Sequence, residues 1–127
     1  MPKQVPPVPR GPKPLGPYSI ATAAEGRLVF ISGQVAIDPA TGQRVTGDAA
    51  AQAERIMENL GLILGDLGLG FEAVAKTTIF LTDMADFGRV NEVYGRRFAA
   101  SPPARSTVQV GALPGGFSVE IEAVAVA

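Results

Sequence analysis

The chain ends in two apolar stretches, Pro102-Pro103-Ala104-Arg105-Ser106-Thr107-Val108-Gln109-Val110 and Phe117-Ser118-Val119-Glu120-Ile121-Glu122-Ala123-Val124-Ala125. Both alternate with a period of two, which predicts two β-strands. In the first strand, Arg105 is on one face and Ser106, Val108 and Val110 are on the other. In the second strand, Glu120 and Glu122 are on the face opposite the apolar residues. Residues 111–116 between them are rich in turn formers and predict an antiparallel hairpin. We therefore expect Arg105 beside Glu120 or Glu122 on one face of this hairpin.

The rest of the chain predicts two helices and further strands. Asp48 is a good N-cap for a helix whose apolar residues recur every three or four positions until Gly68. A second helix begins after Asp83 or Asp86. Strands are predicted at residues 19–23, 27–32 and 74–81, the first two as a hairpin, with a short strand near 43–45. This order predicts an α+β fold in which two helices pack on one face of a mixed sheet of about six strands.

Length and composition indicate one domain that associates with further copies. The chain has 127 residues, and seven of its 11 prolines lie in the first seventeen, so residues 1–15 form a proline-rich arm and residues 16–127 a single domain. Charged residues make up 18%, against about 25% in typical domains. No predicted element covers the second face of the sheet. A second subunit is the expected cover, and a surface rich in alanine and glycine is the alternative explanation of the low charge.

Composition also excludes several kinds of chemistry. The chain has no histidine and no cysteine, which excludes a Ser-His-Asp triad, a cysteine nucleophile, a Cys/His zinc site and disulfides. We find no metal-ligand cluster and no glycine-rich phosphate loop. The net charge of −1 and the pI of 5.4 argue against a nucleic-acid-binding face. No signal peptide or membrane span is visible, so we expect a cytoplasmic protein.

Arg105 and Glu120 are the main candidate site residues, and each has two possible roles. Arg105 is either one half of a structural salt bridge or a bidentate clamp for a small carboxylate. Glu120 is either its partner or a general base that positions water, a role for which Glu122 competes. Spacing alone does not decide between these alternatives.

Four further residues carry polar groups or allow close approach, and each also has an ordinary structural explanation. Tyr18 lies on an arm that could reach a cleft. Asn91 lies in the apolar stripe of the second helix, where a satisfied buried amide is common. Ser32-Gly33 ends a strand and permits close approach of the backbone.

Taken together, these segments resemble the Rid family of reactive intermediate deaminases, also called YjgF or L-PSP. The matching segments span residues 16 to 123 in the family's order: Gly16-Pro17-Tyr18-Ser19, Val29-Phe30-Ile31-Ser32-Gly33-Gln34, Asp38-Pro39-Ala40-Thr41-Gly42, Lys76-Thr77-Thr78-Ile79-Phe80-Leu81-Thr82-Asp83-Met84, Asp86-Phe87, Val90-Asn91-Glu92-Val93-Tyr94, Pro103-Ala104-Arg105-Ser106 and Val119-Glu120-Ile121-Glu122-Ala123.

The resemblance implies a chorismate-mutase-like fold, a homotrimer with clefts between subunits, and no cofactor. It implies hydrolysis of 2-imino acids, the unstable products of PLP-dependent dehydratases, to 2-oxo acids and ammonia. In that comparison Arg105 binds the substrate carboxylate and Glu120 positions the attacking water. The other positions that match the family's cleft are Tyr18, Ser32, Gly33, Phe87, Asn91 and Thr107.

Two departures and two alternatives accompany the resemblance. Thr107 stands where the family usually has cysteine, and Gly115 follows Pro114 where many members carry a charged residue. A non-catalytic trimer that binds a small metabolite is one alternative function. An endoribonuclease or translation inhibitor is the other, and the acidic pI and the missing histidine argue against it.

Overall fold

The structure, a computed structural model, describes residues 2–98 and 100–127. Its strands and helices are, in chain order, β1 (Lys3–Gln4), β2 (Ala23–Ala24), β3 (Leu28–Gln34), α1 (Ala49–Asp66), β4 (Val74–Leu81), α2 (Phe87–Gly95), β5 (Ala104–Gln109) and β6 (Val119–Val126). Short 3-10 turns precede β4, α2 and β6. This arrangement confirms the predicted α+β fold. In the described residues, no helix is both long enough and apolar enough to cross a membrane.

The six strands are divided between two sheets. Four form the main mixed sheet in the order β3-β6-β4-β5, and β1 pairs with β2 in a small sheet of its own. Within the main sheet β5 runs parallel to β4, whereas β6 runs antiparallel to both β3 and β4. The predicted hairpin of the last two strands is therefore wrong, because β4 lies between them. The crossover from β4 through α2 places β5 at the sheet edge, and residues 110–118 then carry the chain across β4.

The register of β4 decides which way the charged side chains point. Thr77 pairs with Arg105 on one side and with Ala123 on the other, so these three side chains share the helix-covered face. Phe80 pairs with Glu120, three residues along, and lies on the opposite face. Arg105 and Glu120 are consequently on opposite faces of the sheet, and the predicted contact between them does not form.

The N-terminal segment pairs differently from the prediction as well. The hairpin expected from residues 19–23 and 27–32 is absent from the described chain, since Ala23–Ala24 pairs with Lys3–Gln4 and β3 pairs with β6. Lys3 and Gln4 can pair because neither is a proline. The Lys3 ammonium is buried and donates to the carbonyls of Val74 (3.0 Å) and Ser101 (2.8 Å). Burial lowers the pKa of Lys3, and nearby Glu72 opposes this shift.

The two helices follow the predicted patterns and cover one face of the main sheet. The side chains of Ile56, Met57 and Leu64 on α1 are fully buried against the strands. The Asp48 side chain caps α1 by accepting from the amide of Ala51 at 2.9 Å, and Gly68 with φ of 73° follows the last turn. The strand predicted near residues 43–45 is reduced to a single bridge between Ile37 and Arg44.

The opposite face of the main sheet carries large apolar side chains. Phe30 is 74% exposed, Leu28 is 52% exposed and Val108 is 40% exposed. The alternation predicts Val108 on the buried face of its strand, but the parallel register with β4 turns it outward, next to Phe80. An apolar patch of this kind is typical of a protein–protein contact surface.

The two helix starts generate a matched stability prediction. Asp48→Ala should lower the free energy of unfolding by about 1 kcal/mol, because the first turn of α1 loses its capping acceptor. Asp86 occupies the corresponding position of α2 but makes no capping hydrogen bond, so Asp86→Ala should cost clearly less. Urea unfolding followed by circular dichroism measures both. Equal losses would contradict the importance assigned to the Asp48 cap.

Candidate active site

The Arg105 guanidinium lies in a cluster of aromatic rings and one amide. Its Nη1 donates to Oδ1 of Asn91 at 2.7 Å. Its central carbon is 5.2 Å from the ring centre of Tyr18, 5.7 Å from that of Phe87 and 5.3 Å from that of Tyr94. These distances are within the range of cation–π attraction. The structure thus brings together three of the residues predicted to line a cleft, Tyr18, Phe87 and Asn91, around the predicted carboxylate-binding arginine.

Helix α2 and the N-terminal segment hold this cluster in place. Asn91 and Tyr94 are three residues apart on α2 and therefore present the same face to β5. The Tyr94 hydroxyl is hydrogen-bonded to Oγ1 of Thr77 at 2.7 Å, and burial raises the pKa of Tyr94 to about 12. On the other side, the amide of Ser19 donates to the Pro103 carbonyl at 3.0 Å and fixes the chain next to Tyr18.

The electrostatic environment of Arg105 is unusual for a half-buried cation. Among residues 2–98 and 100–127, none of the salt bridges includes Arg105. Burial lowers the pKa of Arg105, although Tyr94 and Tyr18 oppose the shift, and a guanidinium stays charged in proteins. Its nearest polar partner is the neutral amide of Asn91. The remaining N–H donors suit a planar carboxylate that approaches from outside the chain.

Thr107 lies one pleat beyond Arg105 on the same face of β5. It pairs with Ile79 of β4, whose side chain is fully buried. The Thr107 hydroxyl oxygen is buried and has no hydrogen-bond partner among the described residues. An unpaired buried hydroxyl destabilises the folded chain by about 1–3 kcal/mol. A buried hydroxyl without a partner needs an explanation, and a bound ligand that forms the missing hydrogen bond is one such explanation.

Glu120 belongs to a second group of residues, on the other face of the sheet. It is half-buried, and Gly33 on β3 lies directly against it. A Cβ at position 33 would be 2.7 Å from Cδ of Glu120, so only glycine permits this approach. The β3–β6 register shifts between Ile31 and Gln34, so Gly33 lies in an irregular part of this strand pair, next to the Glu120 carboxylate. Ser32, the residue before Gly33 on β3, is exposed.

The predicted site residues are therefore divided into two groups on opposite faces. One contains Arg105, Tyr18, Phe87, Asn91 and Thr107, and the other contains Glu120, Ser32 and Gly33. Within the described chain, no group of three or more acidic side chains could hold a metal ion.

Sequence reasoning missed the contribution of Tyr94 and Thr77 to the arginine cluster. The sequence places both in ordinary elements, Tyr94 in the apolar stripe of its helix and Thr77 in a β-branched strand. The spacing in the sequence could have indicated Tyr94, because it lies three residues after Asn91 and therefore shares the same face of the helix.

Two threonine-to-valine substitutions on neighbouring strands should have opposite effects on stability. Thr107→Val removes an unpaired buried hydroxyl and should raise the free energy of unfolding by about 1 kcal/mol. Thr77→Val leaves the buried Tyr94 hydroxyl without its partner and should lower it by about 1–3 kcal/mol. Chemical denaturation measures both variants against the parent. A loss of stability in Thr107→Val would contradict the unpaired state of its hydroxyl.

Comparison with known proteins supplies the family. A family model described as "Endoribonuclease L-PSP" matches residues 9–127. The chain is 58% identical to Protein DfrA of Myxococcus xanthus over 118 residues, covering 92% of this chain and 90% of that protein. It is 50% identical to the 2-iminobutanoate/2-iminopropanoate deaminase of Mus musculus, covering 92% and 86%.

A solved structure shares the fold. The crystal structure of E. coli TdcF with bound serine is 38% identical, covers 98% of each chain and superimposes with a TM-score of 0.74. Two helices on a mixed sheet, in this order, form the chorismate-mutase-like α+β fold. By sequence and by structure, the chain belongs to the Rid family, also called YjgF or L-PSP.

Proposed function

We propose that the protein hydrolyses 2-imino acids, such as 2-iminobutanoate and 2-iminopropanoate, to 2-oxo acids and ammonia without a cofactor. The observation that carries this proposal is the half-buried Arg105 guanidinium, which has no carboxylate partner in the described chain and faces a neutral amide. Every 2-imino acid has a carboxylate next to the reacting carbon. A fixed arginine therefore binds the substrate at a constant distance from the bond to be hydrolysed.

Hydrolysis of an imine requires little from the protein beyond the orientation of the substrate and of the attacking water. Water adds to C2 of the imine, and one of its protons moves to the nitrogen to give a carbinolamine with one hydroxyl and one amino group on C2. The hydroxyl proton then moves to the nitrogen as the C=O bond forms and the C–N bond breaks, which releases the 2-oxo acid and ammonia. A carboxylate near C2 can accept the proton of the attacking water and return it to the leaving nitrogen. Glu120 is our candidate for this group, since it is half-buried and its carboxylate lies directly against Gly33, a residue that lines a cavity.

A single chain contains only separated halves of this site. Arg105 and Glu120 point from opposite faces of the sheet, and β4 lies between their strands. Neighbouring strands are about 4.8 Å apart, so two strand spacings already separate the backbones by about 10 Å. A four-carbon acid cannot contact both groups of one chain. We infer that Arg105 of one subunit and Glu120 of the next form the cleft within a homotrimer.

Two further observations support assembly and substrate class. The exposed apolar face that includes Phe30 and Val108 needs a cover, which a second sheet would supply. Relatives at 50% and 45% identity are named 2-iminobutanoate/2-iminopropanoate deaminase, and the related TdcF structure contains serine, an amino acid with the same carboxylate group. A trimer that binds such acids without catalysis is the alternative, and the two substitutions below distinguish it.

Replacing Arg105 should remove activity. Arg105→Ala should lower kcat/KM for 2-iminobutanoate at least about 10²-fold, the usual effect of removing a preorganised donor. Arg105→Lys should recover little, because an ammonium lacks the planar fork. The assay follows 2-oxo acid formation in a threonine dehydratase reaction that contains a competing trapping nucleophile, which separates enzymatic from spontaneous hydrolysis. Arg89→Ala, an exposed arginine of α2, is the control. Wild-type turnover by Arg105→Ala would mean that the arginine is structural.

Replacing Glu120 should affect turnover more than binding. Glu120→Gln keeps the shape but removes the proton acceptor, so kcat should fall about 10²–10⁴-fold. KM should change less, because Arg105 still binds the carboxylate. Glu122→Gln, two residues along the same face of β6, is the matched control and should retain activity. A loss confined to Glu122→Gln would overturn this assignment. Full activity in both variants, with intact ligand binding, would also exclude Glu120 as the base.

A further inference from the structure

Leu15, at the end of the proline-rich arm, is 94% exposed. It is nevertheless held at a defined position, because its amide donates to the Tyr18 hydroxyl at 3.1 Å. Tyr18 in turn lies over the Arg105 guanidinium. A Cβ on the next residue, Gly16, would be 3.8 Å from Nη2 of Arg105. Leu15 therefore lies at the rim of the arginine cluster with its side chain in solvent.

The other half of the proposed site borders an apolar cavity. This cavity has a volume of about 530 Å³ and lies between α1 and the segment that follows β3. Apolar atoms of Val35, Ile37, Leu62 and Ile63 line it, and Leu62 is 55% exposed. Its volume is within the range of about 300–1,000 Å³ that is typical of ligand-binding sites. Gly33, the residue that lies against Glu120, is part of its wall.

Leu15 and the cavity each lie at the edge of one proposed half-site. In the subunit arrangement proposed above, the Arg105 cluster of one subunit faces Gly33 and Glu120 of the next. Leu15 is on the rim of the first half, and the cavity borders the second half. The charges also match, since Lys13 precedes Leu15 by two residues and Asp66 lies in the cavity wall.

We propose that Leu15 of one subunit packs into the cavity between α1 and the segment after β3 of the next subunit, with Lys13 beside Asp66. This contact rests on the proposed two-subunit site and gives the proline-rich arm a function. Pro12, Pro14 and Pro17 restrict the backbone on both sides of Leu15, which reduces the entropy that is lost when the arm is ordered at an interface. The arm thereby joins the two halves at their rim.

The absence of cysteine from the sequence allows a direct crosslinking test. Leu15→Cys combined with Leu62→Cys should give disulfide-linked dimers and trimers on mild oxidation, visible on a non-reducing gel. A disulfide requires Cα atoms within about 4.4–6.8 Å, so it reports the proposed contact specifically. Leu15→Cys with Leu67→Cys is the matched control. Leu67 is an exposed leucine that follows α1 and is not among the residues that line the cavity. No covalent oligomers in the Leu15/Leu62 pair, or equal amounts in the control, would overturn the contact.

A second variant measures the strength of the contact. Leu15→Asp should raise the dissociation constant of the assembly about 10–100-fold, the loss expected from one buried leucine. Val8→Asp, on the same arm and also exposed, should leave it unchanged. Sedimentation equilibrium measures both against the parent, and an unchanged constant in Leu15→Asp would contradict the proposal.

Failure of this inference is distinguishable from failure of the proposed function. A trimeric, active deaminase without the crosslink overturns only the Leu15 contact. A parent protein that is monomeric at micromolar concentration overturns the shared cleft together with it.

Discussion

Strand β4 pairs with a parallel strand on one side and an antiparallel strand on the other, and the placement of the functional groups depends on this double pairing. The parallel partner brings Arg105 opposite Thr77 on the helix-covered face. The antiparallel partner brings Glu120 opposite Phe80 on the other face. Because side-chain direction alternates along a strand, a shift of one residue on either side would exchange the faces. The same pairing therefore separates the two groups and orients each of them.

The arginine cluster depends on a balance between burial and neutral partners. A half-buried guanidinium loses hydration, and aromatic faces together with one amide oxygen replace it only in part. A carboxylate partner within the chain would have stabilised the cation more strongly and would have occupied the donors that a ligand needs. The nearby Thr107 hydroxyl has the same character, since it is buried and unpaired in the described chain. At this site the folded chain is less stable than it would be if Arg105 and Thr107 had partners within the chain, and their polar groups remain free to bind a ligand.

The surfaces around the two proposed half-sites carry exposed apolar side chains that nothing within one chain covers. Phe30 and Val108 are exposed on the open sheet face, Leu15 is exposed beside the arginine cluster, and Leu62 is exposed in a cavity beside Gly33. Single exposed leucines are common on protein surfaces. Their positions next to two incomplete halves of one proposed site are what favour contact between subunits. In that arrangement assembly and catalysis depend on the same surfaces.

Local patterns in the sequence determined the residue types of the site and most of the elements that carry them. Asp48 and the spacing of Ile56, Met57 and Leu64 specify α1, and the β-branched run Thr77-Thr78-Ile79 specifies β4, because capping and periodicity act within a few residues. The absence of histidine and cysteine limits the available chemistry through composition alone. The motifs around Arg105 and Glu120, in combination with Gly16-Pro17-Tyr18-Ser19 and the other matching segments, indicated the family.

The tertiary structure alone decided which strands became neighbours. The alternation around Arg105 and around Glu120 is equally compatible with a hairpin and with two strands separated by a third, so periodicity could not exclude the wrong pairing. The crossover through α2, the burial of the Lys3 ammonium and the position of Tyr94 over Arg105 all depend on contacts between residues that are distant in the chain. The alternation of side chains along a strand is set by neighbouring residues. The direction of a strand and the choice of its partner are set by the packing of whole elements, and this packing placed Arg105 and Glu120 on opposite faces.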